Sequence, residues 1–187
     1  TLEESKLHEL NQFAKKIRLN TLECLNHLGF GHYGGSLSVV EALAVLYGEI
    51  MPMTPDTFKE TERDYFVLSK GHAGPALYST LYLKGFFDKD FLFSLNTNGT
   101  HLPSHPDRNL TPGVDMTTGS LGQGISVATG IAYGQKVKSL SNYTYTIVGD
   151  GELNEGQCWE AFQFIAHHNL NNLTVFLDYN KKQLDGA

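Results

Sequence analysis

Charge is scarce in this sequence: only 18% of its 187 residues are Asp, Glu, Lys or Arg, and no charge run or low-complexity tract marks a disordered tail. Basic residues are the scarcer sign, 14 against 20 acidic, for a net charge of −6. That balance argues against a nucleic-acid surface. It also requires any anionic ligand to be held by a metal, by main-chain N–H groups or by local histidines. Cysteine is limited to Cys24 and Cys158, without CxxC spacing and too few for a disulfide framework, so a reducing cytoplasm is the default compartment. No apolar run approaches the roughly 18 residues of a membrane span. No signal-peptide pattern opens the chain, although a start at Thr1 leaves preceding residues and a targeting segment open.

What the sequence does have is apolar content, 41%, enough to bury the core of one globular domain over 1–187 with no repeat or linker. It also has eight histidines, two of them, His32 and His72, directly after glycine. Leu7, Leu10, Ala14, Ile17, Leu25 and Leu28 recur at helical spacing and predict an amphipathic helix over residues 4–28. "GFGHYGGSLS" interrupts it, and Ser36 or Ser38 is placed to cap a second helix carrying Val39, Val40, Leu43, Val45, Leu46 and Ile50. A short strand is expected over 65–68, then a helix over 73–84 with Pro75 near its first turn, and a short helix near Asp88. A glycine-rich turn feeds a helix of small residues over 121–137, whose glycines and alanines allow close approach of a neighbour. A strand over 143–148, a helix over 154–168 and a strand over 173–178 complete the pattern. Strands alternating with helices predict an α/β fold with an open, mostly parallel sheet and helices on both faces.

Two strand-like runs end in chemistry: Gly149-Asp150-Gly151 after the first, and Asp178-Tyr179-Asn180 after the second. In a parallel βαβ unit both strands finish on the same edge, so Asp150 and Asn180 share one rim, where open α/β sheets bind ligands. One carboxylate and one amide oxygen, with phosphate oxygens completing the shell, suit Mg²⁺ or Ca²⁺. Gly149 and Gly151 let main chain approach a ligand, and the helix N-terminus that follows favours an anion. Taken separately, the same residues also read as a tight turn and a loop-capping amide.

The stretch "GDGELNEGQCWEA…NNLTVFLDYNKKQLDG" resembles the thiamine-diphosphate motif, and its wording is similar to that of the transketolase family. "GHYGGSLSVVEALAVLYGEIM", "RDYFVLSKGHAGPALYSTLYLKGFF" and "LPSHPDRNLTPGVDMTTGSLGQGISVATGIA" resemble the same family in the same order, over nearly the whole chain. The wording is closest to the N-terminal subunits of split transketolases. That resemblance implies a diphosphate-binding domain that takes thiamine diphosphate with Mg²⁺, for which Ca²⁺ or Mn²⁺ can substitute. It implies transfer of a two-carbon ketol unit from a ketose phosphate to an aldose phosphate, a reaction of the pentose phosphate pathway. It also implies a partner, a pyrimidine-binding transketolase C-terminal subunit in a heterotetramer, without which the chain is inactive.

Position by position, the resemblance implies Asp150, Asn180 and the Lys182 carbonyl as metal ligands. Gly149 and Gly151 lie at the diphosphate, with Gly151 offering its N–H. Gly119, Ser120 and Leu121 of "GSLG" line the cofactor. Glu155 matches an acid of a carboxylate network between two active sites, although a first-turn acid favoured by the helix dipole explains it as well. His32 matches a group handling a substrate hydroxyl proton, His72 a diphosphate or hydroxyl contact, and His105 a contact to the sugar's first hydroxyl. His101 competes for that last role; His105 is preferred because it directly precedes Pro106. Each histidine alone also reads as a loop residue with a satisfied hydrogen bond. Dipole stabilisation at a helix C-terminus suffices for His167 and His168.

Two departures stand out. Tyr33 follows His32 where relatives carry Pro or an aliphatic residue. The chain also stops soon after the metal motif, as expected of a fragment or a pared-down homologue. A thiamine-diphosphate enzyme acting on another ketose, or a non-catalytic binding module, are the rival readings; the intact Asp150, Gly151 and Asn180 count against the latter.

Overall fold

The computed structural model describes residues 3–183. The chain gathers into two compact units interleaved along the sequence, Thr1–Lys59 with His72–Ser104 and Leu110–Gly113, and Glu60–Gly71 with His105–Asn109 and Val114–Ala187.

The first unit is helical. Helix α1 runs over Glu4–Leu28 as its periodicity predicts, burying Leu10, Ala14, Ile17, Cys24 and Leu25. It stops at Gly29, whose left-handed conformation (φ +86°) turns its N–H back onto the Leu25 carbonyl. The expected serine cap of the next helix is absent. "GHYGGSLS" itself winds into α2 (Tyr33–Leu37), with Ser36 N–H bonded to the His32 carbonyl. Ser36 is therefore buried inside a helix, and the Ser38 hydroxyl bonds back to the Gly35 carbonyl. Helix α3 (Val40–Val45) starts from Val39 with no side-chain cap and runs into a π-helical turn at Leu46–Ile50. Lys84 Nζ donates to the Tyr47 carbonyl of that turn at 3.0 Å, and Lys6 Nζ to that of Gly48 at 3.1 Å. Helix α4 (Gly74–Leu83) carries proline in its first turn and is buried from Gly74 to Leu81. Helix α5 (Lys89–Phe93) is capped by Asp88, which accepts the Phe91 N–H at 2.8 Å.

The second unit holds a parallel sheet in the order β1 (Tyr65–Val67), β2 (Thr144–Gly149), β3 (Leu173–Asp178). Tyr65 stands opposite Thr144, Thr144 opposite Leu173, and Gly149 opposite Asp178. The central strand β2 is buried throughout, as the middle strand of a parallel sheet requires. Asp115 accepts the Phe66 N–H at 2.8 Å and an Arg63 hydrogen bond at 2.6 Å. Burial pushes the Asp115 carboxyl up, against the opposing pull of Arg63.

Helix α6 spans Gln123–Val137 and α7 spans Gly156–His167, each starting two residues later than its pattern predicts. Gly122 is left-handed (φ +82°), which delays α6, and a 3₁₀ turn at Gly151–Asn154 precedes α7. Ile125, Val148, Cys158 and Ala161 form a core against which Leu153, Phe162 and Val175 pack. The small residues of α6 bring it close to the segment that follows β1: a Cβ on Gly124 would lie 2.4 Å from the Ser69 Cα. The parallel α/β class expected from strand–helix alternation is thus the class observed.

Candidate functional site

Because β2 and β3 run parallel with Gly149 opposite Asp178, the turns that follow them meet on one edge. Asp150 donates its N–H to the Asp178 carbonyl at 3.2 Å. The Asp150 carboxylate accepts the Lys181 N–H at 2.6 Å and the Gly151 N–H at 3.0 Å. The Asn180 amide has a defined orientation: Oδ1 accepts the Lys182 N–H at 2.8 Å, and Nδ2 lies 3.5 Å from Asp178 Oδ2. Asp178 in turn forms an ion pair with Lys70, whose side chain is only 1% exposed. Among the described residues no three His, Cys, Asp or Glu side chains cluster as a metal site. A cation here must rely on the mixed set of carboxylate, amide and main-chain oxygens. Such hard donors fit Mg²⁺ or Ca²⁺ and do not fit a soft transition metal.

A second constellation in this unit centres on Glu152, which is 2% exposed. Its Oε1 accepts the Ser69 hydroxyl at 2.5 Å and the Gly122 N–H at 2.8 Å, while Oε2 accepts the Gly149 N–H at 3.1 Å. Ser69 Oγ also accepts the Ile125 N–H at 2.9 Å, so two N–H groups at the start of α6 are satisfied from outside the helix. The "GSLG" loop is packed from several sides. A Cβ on Gly119 (φ +137°) would come within 3.0 Å of the His105 side chain, and a Cβ on Gly71 would meet the Gly119 Cα at 2.7 Å. The Ser120 carbonyl accepts the Gln123 N–H at 3.2 Å, and Gln157 Nε2 donates to the Leu121 carbonyl at 2.9 Å. The Leu121 side chain remains 40% exposed.

His32 and His72 come together in the first unit, their rings 5.2 Å apart and edge-on. His105 lies in the second unit against Gly119. His101 is exposed, and its carbonyl accepts the Thr111 hydroxyl at 2.7 Å. Glu155 is the exposed N-cap residue of α7 and makes no side-chain cap bond. His168 packs against Phe164 in a tilted arrangement, ring centroids 4.1 Å apart, beyond the C-terminus of α7. Sequence reasoning missed Lys70, Asp178 and Glu152. Their signals were a lysine just before "GHAG", an acid closing β3 and an acid directly after "GDG". Polar residues flanking glycine turns were the available cue.

A parallel sheet whose glycine turns, acid and amide converge at the C-terminal strand edge defines an α/β domain of the phosphate-cofactor-binding kind. Residues 10–187 match the family model described as transketolase, thiamine diphosphate binding domain, and the chain belongs to that family. It is 53% identical over 178 residues to the 6-deoxy-6-sulfo-D-fructose transketolase subunit SqwG of Clostridium sp., covering 95% of this chain and 65% of that protein. It is 40% identical to an apulose-4-phosphate transketolase subunit of Phocaeicola vulgatus, covering 93% of this chain and 62% of that one. The chain thus spans a little under two thirds of these relatives. Among solved structures, transketolase from Leishmania mexicana superposes with a TM-score of 0.89 at 33% identity, over 94% of this chain and 28% of that one.

Proposed function

We propose that this chain is the diphosphate-binding half of a transketolase, transferring a two-carbon ketol unit between sugar phosphates once a pyrimidine-binding C-terminal subunit completes the site. The observation that carries the reading is the Lys181–Asp150 hydrogen bond, which holds the turns bearing Asp150 and Asn180 together on one rim. Bound thiamine diphosphate supplies the carbanion stabilisation that cleavage of a ketose C–C bond requires.

In this reading Asp150, Asn180 and the Lys182 carbonyl would hold Mg²⁺, which would neutralise diphosphate charge. Gly149 would permit close approach of the diphosphate, and Gly151 would offer it a main-chain N–H. Gly119, Ser120 and Leu121 line the cofactor, and the exposed Leu121 offers an apolar surface to its ring. His72 contacts the diphosphate or a hydroxyl. His32 takes and returns the proton of a substrate hydroxyl, a role that imidazole chemistry suits, and His105 contacts the first hydroxyl of the sugar. Glu155, exposed in this chain alone, joins a carboxylate network across the cytoplasmic heterotetramer. Groups that bind the substrate's anionic end come from the partner, which agrees with the scarcity of basic residues here.

The name of the 53% identical relative supports a second reading of the donor, a sulfonated ketose in place of a ketose phosphate. Co-expression with a pyrimidine-binding subunit, followed by calorimetry with thiamine diphosphate and Mg²⁺, tests the first claim. Parallel assays with fructose 6-phosphate and with 6-deoxy-6-sulfo-D-fructose then distinguish the donors. Absence of Mg²⁺-dependent cofactor binding in the complex would refute the half-enzyme reading.

A further inference from the structure

We propose that Glu152 and Gln157 are positioning residues that lock the Asp150 turn and the "GSLG" loop into one rigid cradle, an inference that rests on the cofactor reading above. The Glu152 carboxylate joins three chain segments: Ser69 after β1, Gly122 at the start of α6 and Gly149 at the end of β2. Gly149 directly precedes the metal-binding Asp150 of that reading, and Gly122 directly follows Leu121. A displacement of either turn is therefore transmitted through one buried carboxylate. Its negative charge also sits at the N-terminus of the 15-residue helix α6, where the helix dipole favours it.

Gln157 holds the other side of the loop. Its amide donates to the Leu121 carbonyl, and its side chain fills the space a Cβ on Gly122 would occupy, 2.6 Å from Gln157 Cγ. Glu152 and Gln157 thus grip the adjacent residues Leu121 and Gly122 from one segment, the one that begins with Asp150. Cofactor sites need their contacting atoms held to within about 0.5 Å, and supporting hydrogen bonds supply that rigidity.

The geometry also says which substitution separates charge from shape. In Glu152→Gln one oxygen still accepts from Ser69 and Gly122, but the amide nitrogen faces the Gly149 N–H, donor against donor. Gln157→Ala removes the loop clamp from a half-buried position and leaves the core intact.

The test uses the full chain with its pyrimidine-binding subunit. Thiamine diphosphate affinity at fixed Mg²⁺ is measured beside the cofactor-free melting temperature and amide exchange over 119–122. Glu152→Gln is expected to weaken cofactor binding about 10- to 100-fold, the range for loss of a supporting contact, and Gln157→Ala about tenfold, at the low end of that range. Exchange over 119–122 should quicken in both, with the cofactor-free melting temperature of Gln157→Ala unchanged. If the wild-type complex binds the cofactor and both variants bind it equally well, the positioning role is overturned while the functional reading stands. If the wild-type complex binds none, both fall. Should Glu152→Gln not fold, Gln157→Ala decides alone.

Discussion

Asp150 and Lys181, 31 positions apart, are joined by a 2.6 Å hydrogen bond from the Lys181 N–H to the Asp150 carboxylate. That bond ties the turn after β2 to the turn after β3 and keeps Asn180 at the same rim. Asp150→Ala removes an oxygen donor and this staple together. Under the proposed function, in complex with a pyrimidine-binding subunit, thiamine diphosphate with Mg²⁺ at a hundredfold excess over Kd should stabilise the wild type by about 2.7 kcal/mol. The variant should show no such shift in melting temperature. An undiminished shift would remove Asp150 from the metal site.

Lys70 and Asp178 form a buried pair, with side chains 1% and 11% exposed. Lys70→Met leaves the Asp178 carboxylate without its cation, a change that costs about 3–5 kcal/mol for a buried pair. Lys70→Met combined with Asp178→Leu should recover much of that loss, because no uncompensated charge remains. Urea titration of the two variants checks this; equal stability of single and double variants would contradict it.

Gly124 places α6 against Ser69 so closely that a Cβ would come within 2.4 Å of the Ser69 Cα, a main-chain atom that cannot swing aside. Gly124→Ala should therefore destabilise the fold by roughly 1–3 kcal/mol despite alanine's better helix propensity. Gly130→Ala, with nothing near its would-be Cβ, should be neutral or stabilising. Thermal melts of the pair decide the point, and a neutral Gly124→Ala would be the contrary result.

Cys24 and Cys158 are buried, and burial pushes both thiols up from 9.0 to about 11. At pH 8 the folded protein should react with iodoacetamide about a hundredfold more slowly than a free thiol, in proportion to its lower thiolate fraction. The folded state holds these protons more tightly than the unfolded state. Their stabilising contribution is therefore complete below about pH 9 and is lost as pH rises through about 11. Rapid labelling of the native protein at pH 8 would contradict this.

The elements were legible where periodicity and punctuation agreed. The 3.6-residue recurrence of Leu10, Ala14 and Ile17, with Gly29 beyond, places α1 to the residue. Leu173–Asp178 is read correctly from its apolar run. The serine cap was misread because Gly34 and Gly35 look like a helix break, yet they lie inside α2. Their low intrinsic helix propensity is overridden by the fold. At the site, Asp150 and Asn180 could be paired from the βαβ spacing alone, since parallel strands must end on one edge. Glu152 could not, because its partners Ser69, Gly122 and Gly149 come from distant segments whose contact no local pattern encodes.

By itself, the sequence determined the long helices and the strands, their parallel arrangement and the shared rim of Asp150 and Asn180, all of which follow from periodicity and chain direction. Only the tertiary structure decided which buried groups hold that rim in place. Lys70 finds Asp178 and Glu152 finds three separate turns because burying a charge demands partners, and the fold alone says which partners lie within hydrogen-bonding distance.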